Sequence, residues 1–266
     1  MSIFNTIISI IEDLLGIGSS LDKFADPKKP FYGYGLVNNW YKQDPRSYMN
    51  KIAENEVDCV AFEFFECARP DNFKNVDKLL SKFEKYISLS QSKKILLYVT
   101  LVNCNTGSGK YGDPRIPLSK YDAQIKKAAQ KFASWMKKYS NIYVTPCGEG
   151  GSSYDKGLQN YCKSIMPKSK MVNNWGSRPT STDGMGFFCQ HPAKTSSPVA
   201  GGAWSMSDHS QLIDELNHGG LYGTCNYEVT KKYAQKMRAN NHPFIYYHFN
   251  KDGKIDSAAL KALKDA

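Results

Sequence analysis

The chain has no stretch long and apolar enough to cross a bilayer. Its most apolar segment, Met1–Lys23, spaces Ile and Leu helically, but Glu12 and Asp13 interrupt the run and no basic stretch precedes it. Such a segment is too charged for a span and a poor signal peptide. It reads as an amphipathic helix that packs on its own domain, with docking on a partner or a membrane surface as the alternative. The expected location is therefore cytoplasmic or virion-associated. Regular cysteine spacing is also missing. Seven Cys with no C-x-x-C pair exclude a disulfide framework and favour a reducing compartment, with no metal cluster. The five His are scattered and form no H-E-x-x-H, and there is no G-x-S-x-G elbow. No G-x-G-x-x-G follows the first strand, which argues against dinucleotide binding. Gly107-Ser108-Gly109-Lys110 lacks a phosphate loop's first glycine, because Cys104 stands there. His248–Ala259 imitates a calcium loop without its first and twelfth ligands. No motif asks for a cofactor.

Acidic residues are scarce, 25 against 35 Lys and Arg, for a net charge of +10. That balance favours an anionic partner such as an acidic glycan, nucleic acid or a membrane surface. The lysines are spread along helices such as 74–85 and 126–138, and no specific nucleic-acid signature accompanies them.

Aromatic residues are plentiful, at 13% with 17 Tyr, and many fall near predicted strand ends, where flat rings can stack on sugars. After a linker containing Asp26-Pro27-Lys28-Lys29-Pro30, apolar alternation predicts eight strands: Phe31–Val37, Val57–Glu66, Lys94–Val102, Asn141–Cys147, Lys170–Trp175, Gly184–Gln190, Gly220–Tyr227 and Pro243–Phe249. Helical periodicity follows most of them, at Pro45–Glu54, Asn75–Ser88, Lys120–Tyr139, Tyr154–Met166, Ser207–His218, Lys231–Asn240 and Ser257–Lys264. Eight strand–helix units fit an α/β fold, a (β/α)8 TIM barrel over residues 31–266, preceded by an N-terminal helix and linker over 1–30. The fifth unit lacks a helix. One internal echo, Val37-Asn38-Asn39-Trp40 against Val172-Asn173-Asn174-Trp175, ends the first and fifth strands, half a barrel apart.

Two strand exits carry a lone carboxylate. Asn141–Gly151 reads N-I-Y-V-T-P-C-G-E-G-G and presents Glu149 on a glycine-flanked lip. Gly220–Thr230 ends at Glu228. Side chains alternate along a strand, so Glu149 shares a face with Tyr143, Thr145 and Cys147, while Ile142 and Val144 face the helices. Glu228 groups with Tyr222, Thr224 and Asn226. Val60, Phe62 and Phe64 turn outward, which turns Cys59, Ala61 and Glu63 inward. Three acids are expected to converge on the carboxyl-end mouth, where barrel enzymes keep their chemistry.

At these residues the chain resembles the retaining glycoside hydrolases with (β/α)8 barrels, whose acid/base follows strand four and whose nucleophile follows strand seven. The resemblance covers residues 31–266 and implies Glu149 as acid/base and Glu228 as nucleophile. Gly148 stands where that family usually has Asn, and Tyr246, Tyr247 and His248 stand where it often has Trp. Further substrate-binding candidates are Trp40, Trp175 and Trp204 as stacking platforms, with Glu63, Asn103, His191, Tyr227 and His248 as polar contacts. Asn173 and Gln190 are possible hydroxyl ligands. Glu63 is also placed to raise the acid's pKa by like-charge repulsion. The expected function is hydrolysis of a polysaccharide or glycan. The alternatives are a non-catalytic sugar-binding barrel and a structural or attachment protein of a phage or virus.

Overall fold

A computed structural model describes residues 32–36, 39–65, 70–103, 117–148, 150–174, 181–190, 211–213, 227–239, 244–248 and 254–266. The expected N-terminal helix lies outside them. Eight strands form one sheet: β1 Tyr32–Leu36, β2 Cys59–Phe65, β3 Leu96–Asn103, β4 Ile142–Gly148, β5 Val172–Asn173, β6 Phe187–Gln190, β7 Gln211–Ile213 and β8 Phe244–His248. Every pairing is parallel, in the order β4-β3-β2-β1-β8-β7-β6-β5. A parallel strand needs a crossover, and the helices supply it. They are α1 Pro45–Glu54, α2 Val76–Lys93, α3 Asp122–Lys138, α4 Ser153–Ile165, α5 Tyr227–Ala239 and α6 Ser257–Lys264. A five-residue helix, Pro70–Lys74, precedes α2.

The helix starts are written into the sequence. Asp44 accepts from the Ser47 amide at 2.8 Å with Pro45 in the first turn. Asp256 caps α6 through the Ala258 and Ala259 amides. Ser152 and Asp155 form a reciprocal capping box on α4. Each device satisfies amides that a helix start leaves without an internal acceptor.

The two ends of the strand order approach one another. Val144 of β4 makes an isolated parallel bridge to Met171, the residue before β5. An aromatic layer lies between β2 and helices α2 and α3. There Phe62 and Phe64 meet Phe83, Tyr86 and Phe132 at ring separations of 5.0–5.8 Å. This settles the parity of β2, with Phe62 and Phe64 toward the helices and Glu63 toward the interior.

One element differs in kind. Residues 207–218 carry a helical pattern, yet Gln211–Ile213 pairs as β7 with β6 and meets Phe244 of β8. Leu212 and Ile213 suit either period, and a three-residue strand is too short for alternation to register. The strand expected over Gly220–Tyr227 ends in a helix instead, because Tyr227 opens α5. Residues 220–226 lie outside the described set.

Candidate active site

The described part of the mouth is built by β2, β3 and β4. Glu63 is 4% exposed, and its Oε1 accepts from Nδ2 of Asn103 at 2.7 Å. A buried carboxylate needs such partners, since desolvation otherwise penalises its charge. Asn103 ends β3 and sits level with Gly148, the last residue of β4. A Cβ added to Gly148 would lie 3.0 Å from Thr100 Cγ2 and 3.7 Å from both Cα and Cγ of Asn103. The strand tip is glycine because β3 already fills the space a side chain would take. Below this layer the Tyr98 and Thr145 hydroxyls share a hydrogen bond of 2.8 Å, buried between β3 and β4.

Glu149 lies outside the described residues, but the chain is fixed on both sides of it. Before it, Gly148 is held in β4. After it, the Gly151 and Ser152 amides donate to Asp155 Oδ2 at 3.0 and 2.8 Å. The alternation expected along β4 fails one step earlier. Tyr98 holds Thr145 toward the interior, yet the Cys147 thiol donates to the Asp155 carbonyl of α4 at 3.7 Å. Pro146 between them has no amide to give the ladder, while Cys147 and Gly148 stay in register with Val102 and Asn103 of β3.

Several candidates land elsewhere. Trp40 is fully buried. It stacks on Phe64 and meets Phe62, Phe83 and Tyr86 edge-on, so it is a core residue behind β2 rather than a platform for sugar. Its indole Nε1 donates to the carbonyls of Glu63 and Phe64 at 2.9 and 3.3 Å, and the Trp40 carbonyl accepts from Tyr86 Oη at 3.0 Å. Trp40 therefore pins the main chain that presents Glu63. Tyr227 is turned to the outer layer, where it donates to Asp265 Oδ2 at 2.5 Å with Lys231 and Lys261 over its ring. Glu228, expected at a strand end, is instead an exposed residue in the first turn of α5. Asn173 accepts from Gln159 of α4 at 3.1 Å and donates to the Ser181 carbonyl, so it ties β5 to the helices. His248 ends β8, level with Leu36 of β1. Trp175, His191 and Trp204 lie outside the described residues, and so do Asp214 and Glu215, the two acids that follow β7 in the chain.

Two buried thiols are held in their protonated form. Burial pushes Cys59 and Cys162 well above the ordinary thiol range, with the neighbouring Asp58 charge adding to the effect at Cys59. A surface groove between α2 and α3 is lined by Asp77, Glu84, Lys127 and Lys131. It is an ion-paired seam of the outer layer, closed by Lys127 on Asp77 at 2.7 Å. Among the described residues no group of His, Cys, Asp and Glu could hold a metal ion, and no helix is long and apolar enough to cross a membrane.

Several solved glycoside hydrolases superpose on this fold. The endo-1,4-beta-mannanase of Rhizomucor miehei superposes with a TM-score of 0.56 at 12% identity, over 89% of this chain and 94% of that one. ZgEngAGH5_4, solved in complex with a cellotriose, gives 0.58 at 10% identity, over 90% and 98%. The chain shares the fold of these two solved proteins. The catalytic domain of Thermobifida fusca endoglucanase Cel5A extends this glycoside hydrolase likeness, with a TM-score of 0.54 at 10% identity over 89% and 91% of the two chains. No protein-family model matches the sequence, and no curated protein matches it. At this identity the glycoside hydrolase likeness describes the path of the backbone. The side-chain chemistry has to be argued from this chain's own residues.

Proposed function

We propose that the chain is a retaining glycoside hydrolase of a polysaccharide, with a barrel closed at the Val144–Met171 bridge and Glu149 as acid/base. The observation that carries this reading is the end of β4. A strand held in register with β3 delivers the chain to Glu149, and a capping box takes it up immediately afterwards. The buried Glu63–Asn103 pair supports it by giving the same end of the sheet a polar floor. Glu149 gives its proton to the glycosidic oxygen as the bond to the anomeric carbon breaks. A second carboxylate attacks that carbon, and water then releases the sugar with Glu149 acting as base. In retaining enzymes the two carboxyl groups stand about 5–5.5 Å apart. Glu63, on β2 with β3 between it and β4, is the carboxylate whose like charge would favour the protonated form of the acid.

The nucleophile has two candidates. Glu228 is the strand-seven acid of the sequence pattern, while β7 as observed ends at Ile213, so Glu215 takes the corresponding position. The neighbours' activities make β-1,4-linked mannan and glucan the first substrates to assay. Glu149→Gln should slow release of reducing ends by about 10²–10⁴-fold while leaving the unfolding temperature unchanged. An E149Q protein with full turnover would sink the mechanism.

A non-catalytic sugar-binding barrel is the second reading. It is favoured by Gly148, which leaves no carboxamide on β4 beside the acid. Retained oligosaccharide binding with no hydrolysis by the native chain would select it. An acidic glycan as ligand, suggested by the +10 charge, and a docking role for Met1–Lys23 in a virion are separate proposals, tested by glycan arrays and by deleting residues 1–23.

A further inference from the structure

We infer that Asn174, the residue after β5, is a hydroxyl-binding contact of the mouth, its carboxamide oxygen accepting from a sugar hydroxyl. This rests on the hydrolase reading above and adds to it a contact that neither the sequence pattern nor the fold likeness assigns. Asn174 is only 4% exposed, yet its Oδ1 has no hydrogen-bond partner. Native proteins pair the great majority of buried polar atoms, because an acceptor removed from water without a donor destabilises the fold. An orphan at a strand's carboxyl end is therefore a position held open for a donor that arrives with a ligand.

Its direction follows from its neighbour. The Asn173 carboxamide is committed to the helical layer through Gln159 and to the Ser181 carbonyl. Successive side chains of a strand alternate, so Asn174 turns with Val172 to the interior. Its height follows from the bridge between Val144 and Met171. Continued three residues along parallel chains, that register sets Asn174 beside the tip of β4, whose following residues are Gly148 and Glu149. Glu63 and Asn103 stand at the same end on β2 and β3. The mouth thus has a paired polar group on one flank of β4 and an unpaired acceptor on the other. A polyhydroxylated ligand supplies what the second flank lacks. Asn174 touches the ligand as a binding group and takes no part in proton transfer.

The test uses the full chain carrying E149Q, titrated calorimetrically with mannotetraose and cellotetraose and with their monodeoxy analogues. Asn174→Leu removes the acceptor at similar volume and should weaken binding about tenfold. Its unfolding temperature should hold or rise, since the substitution also removes a buried orphan. One monodeoxy ligand should lose the same factor against the Asn174 protein and lose nothing against N174L. Asn174→Ala serves as the second variant should leucine overpack. Binding by N174L or N174A equal to that of the Asn174 protein overturns the inference and leaves the hydrolase reading standing. Absence of binding by any oligosaccharide of the set, with Asn174 in place, overturns that reading and the inference with it.

Discussion

Strands β2, β3 and β4 run for seven, eight and seven residues, whereas β5, β6 and β7 run for two, four and three. The long strands are backed by an aromatic layer in which Trp40, Phe62, Phe64, Phe83, Tyr86 and Phe132 touch edge to face or stacked. Each such contact is worth about 0.5–1.5 kcal/mol beyond the area it buries. The short strands are held differently, by polar ties. Asn173 binds Gln159, and Asp183 receives Lys156 and Lys163 of α4 at 3.1 and 2.9 Å. The long strands thus carry a layer of aromatic rings, while β5 is joined to α4 by polar contacts and Met171 and Met185 beside it remain in the core. The acid candidate Glu149 follows β4 in the chain, and both nucleophile candidates follow β7.

The comparison is sharpened most by the carboxylates. Glu149→Gln should cost about 10²–10⁴-fold in kcat, read on soluble mannan and glucan. Glu215→Gln and Glu228→Gln, assayed side by side, should split, one losing as much as E149Q and the other keeping most of its turnover. Two silent variants would remove the second half from the chemistry altogether. Next in size is the packing itself. Trp40→Ala should lower stability by about 3–5 kcal/mol in urea unfolding, and amide exchange of β2–β4 should be slower than that of β5–β7. Equal protection in the two halves would break the contrast drawn here.

Smaller effects probe single atoms. Gly148→Ala should cost about 1–3 kcal/mol, because its new methyl meets Thr100 at 3.0 Å. Thr100→Ser in the same chain should recover most of it. Tyr48 is buried with no partner for its hydroxyl. Tyr48→Phe should therefore leave stability unchanged or raise it by about 0.5–1 kcal/mol. The smallest effect is electrostatic. The hydrogen bond from Lys163, with that from Lys156, holds the Asp183 carboxyl below its ordinary value of 3.8. A depressed carboxylate favours folding above its unfolded pKa, and the gain fades as pH falls through the folded value. The melting-temperature difference between Asp183→Asn and the native chain should thus be full at neutral pH and shrink below about pH 4.

The strand and helix order was legible wherever elements are long enough for a period to repeat. Pro45–Glu54 and Ser257–Lys264 coincide with their predicted bounds because a capping aspartate marks each start. The inward turn of Glu63 was legible too, since Phe62 and Phe64 on either side can only be helix-facing. Trp40 was misread because a sequence shows an aromatic near a strand end without showing which layer closes over it. Glu228 was misplaced because Leu212 and Ile213 suit helix and strand alike, so pairing with β6 and β8 decided what local pattern could not. Asn173 and Asn174 differ by a single step of alternation. Only the contact with Gln159 shows which one faces the interior.

The indole clamp of Trp40 on the Glu63 and Phe64 carbonyls has a practical corollary for anyone wishing to retarget this scaffold. Diversifying residues around β2 would unseat an aromatic keystone before it altered what the mouth accepts. Libraries placed at the ends of β5 to β7 would leave that clamp, and the aromatic layer around it, untouched.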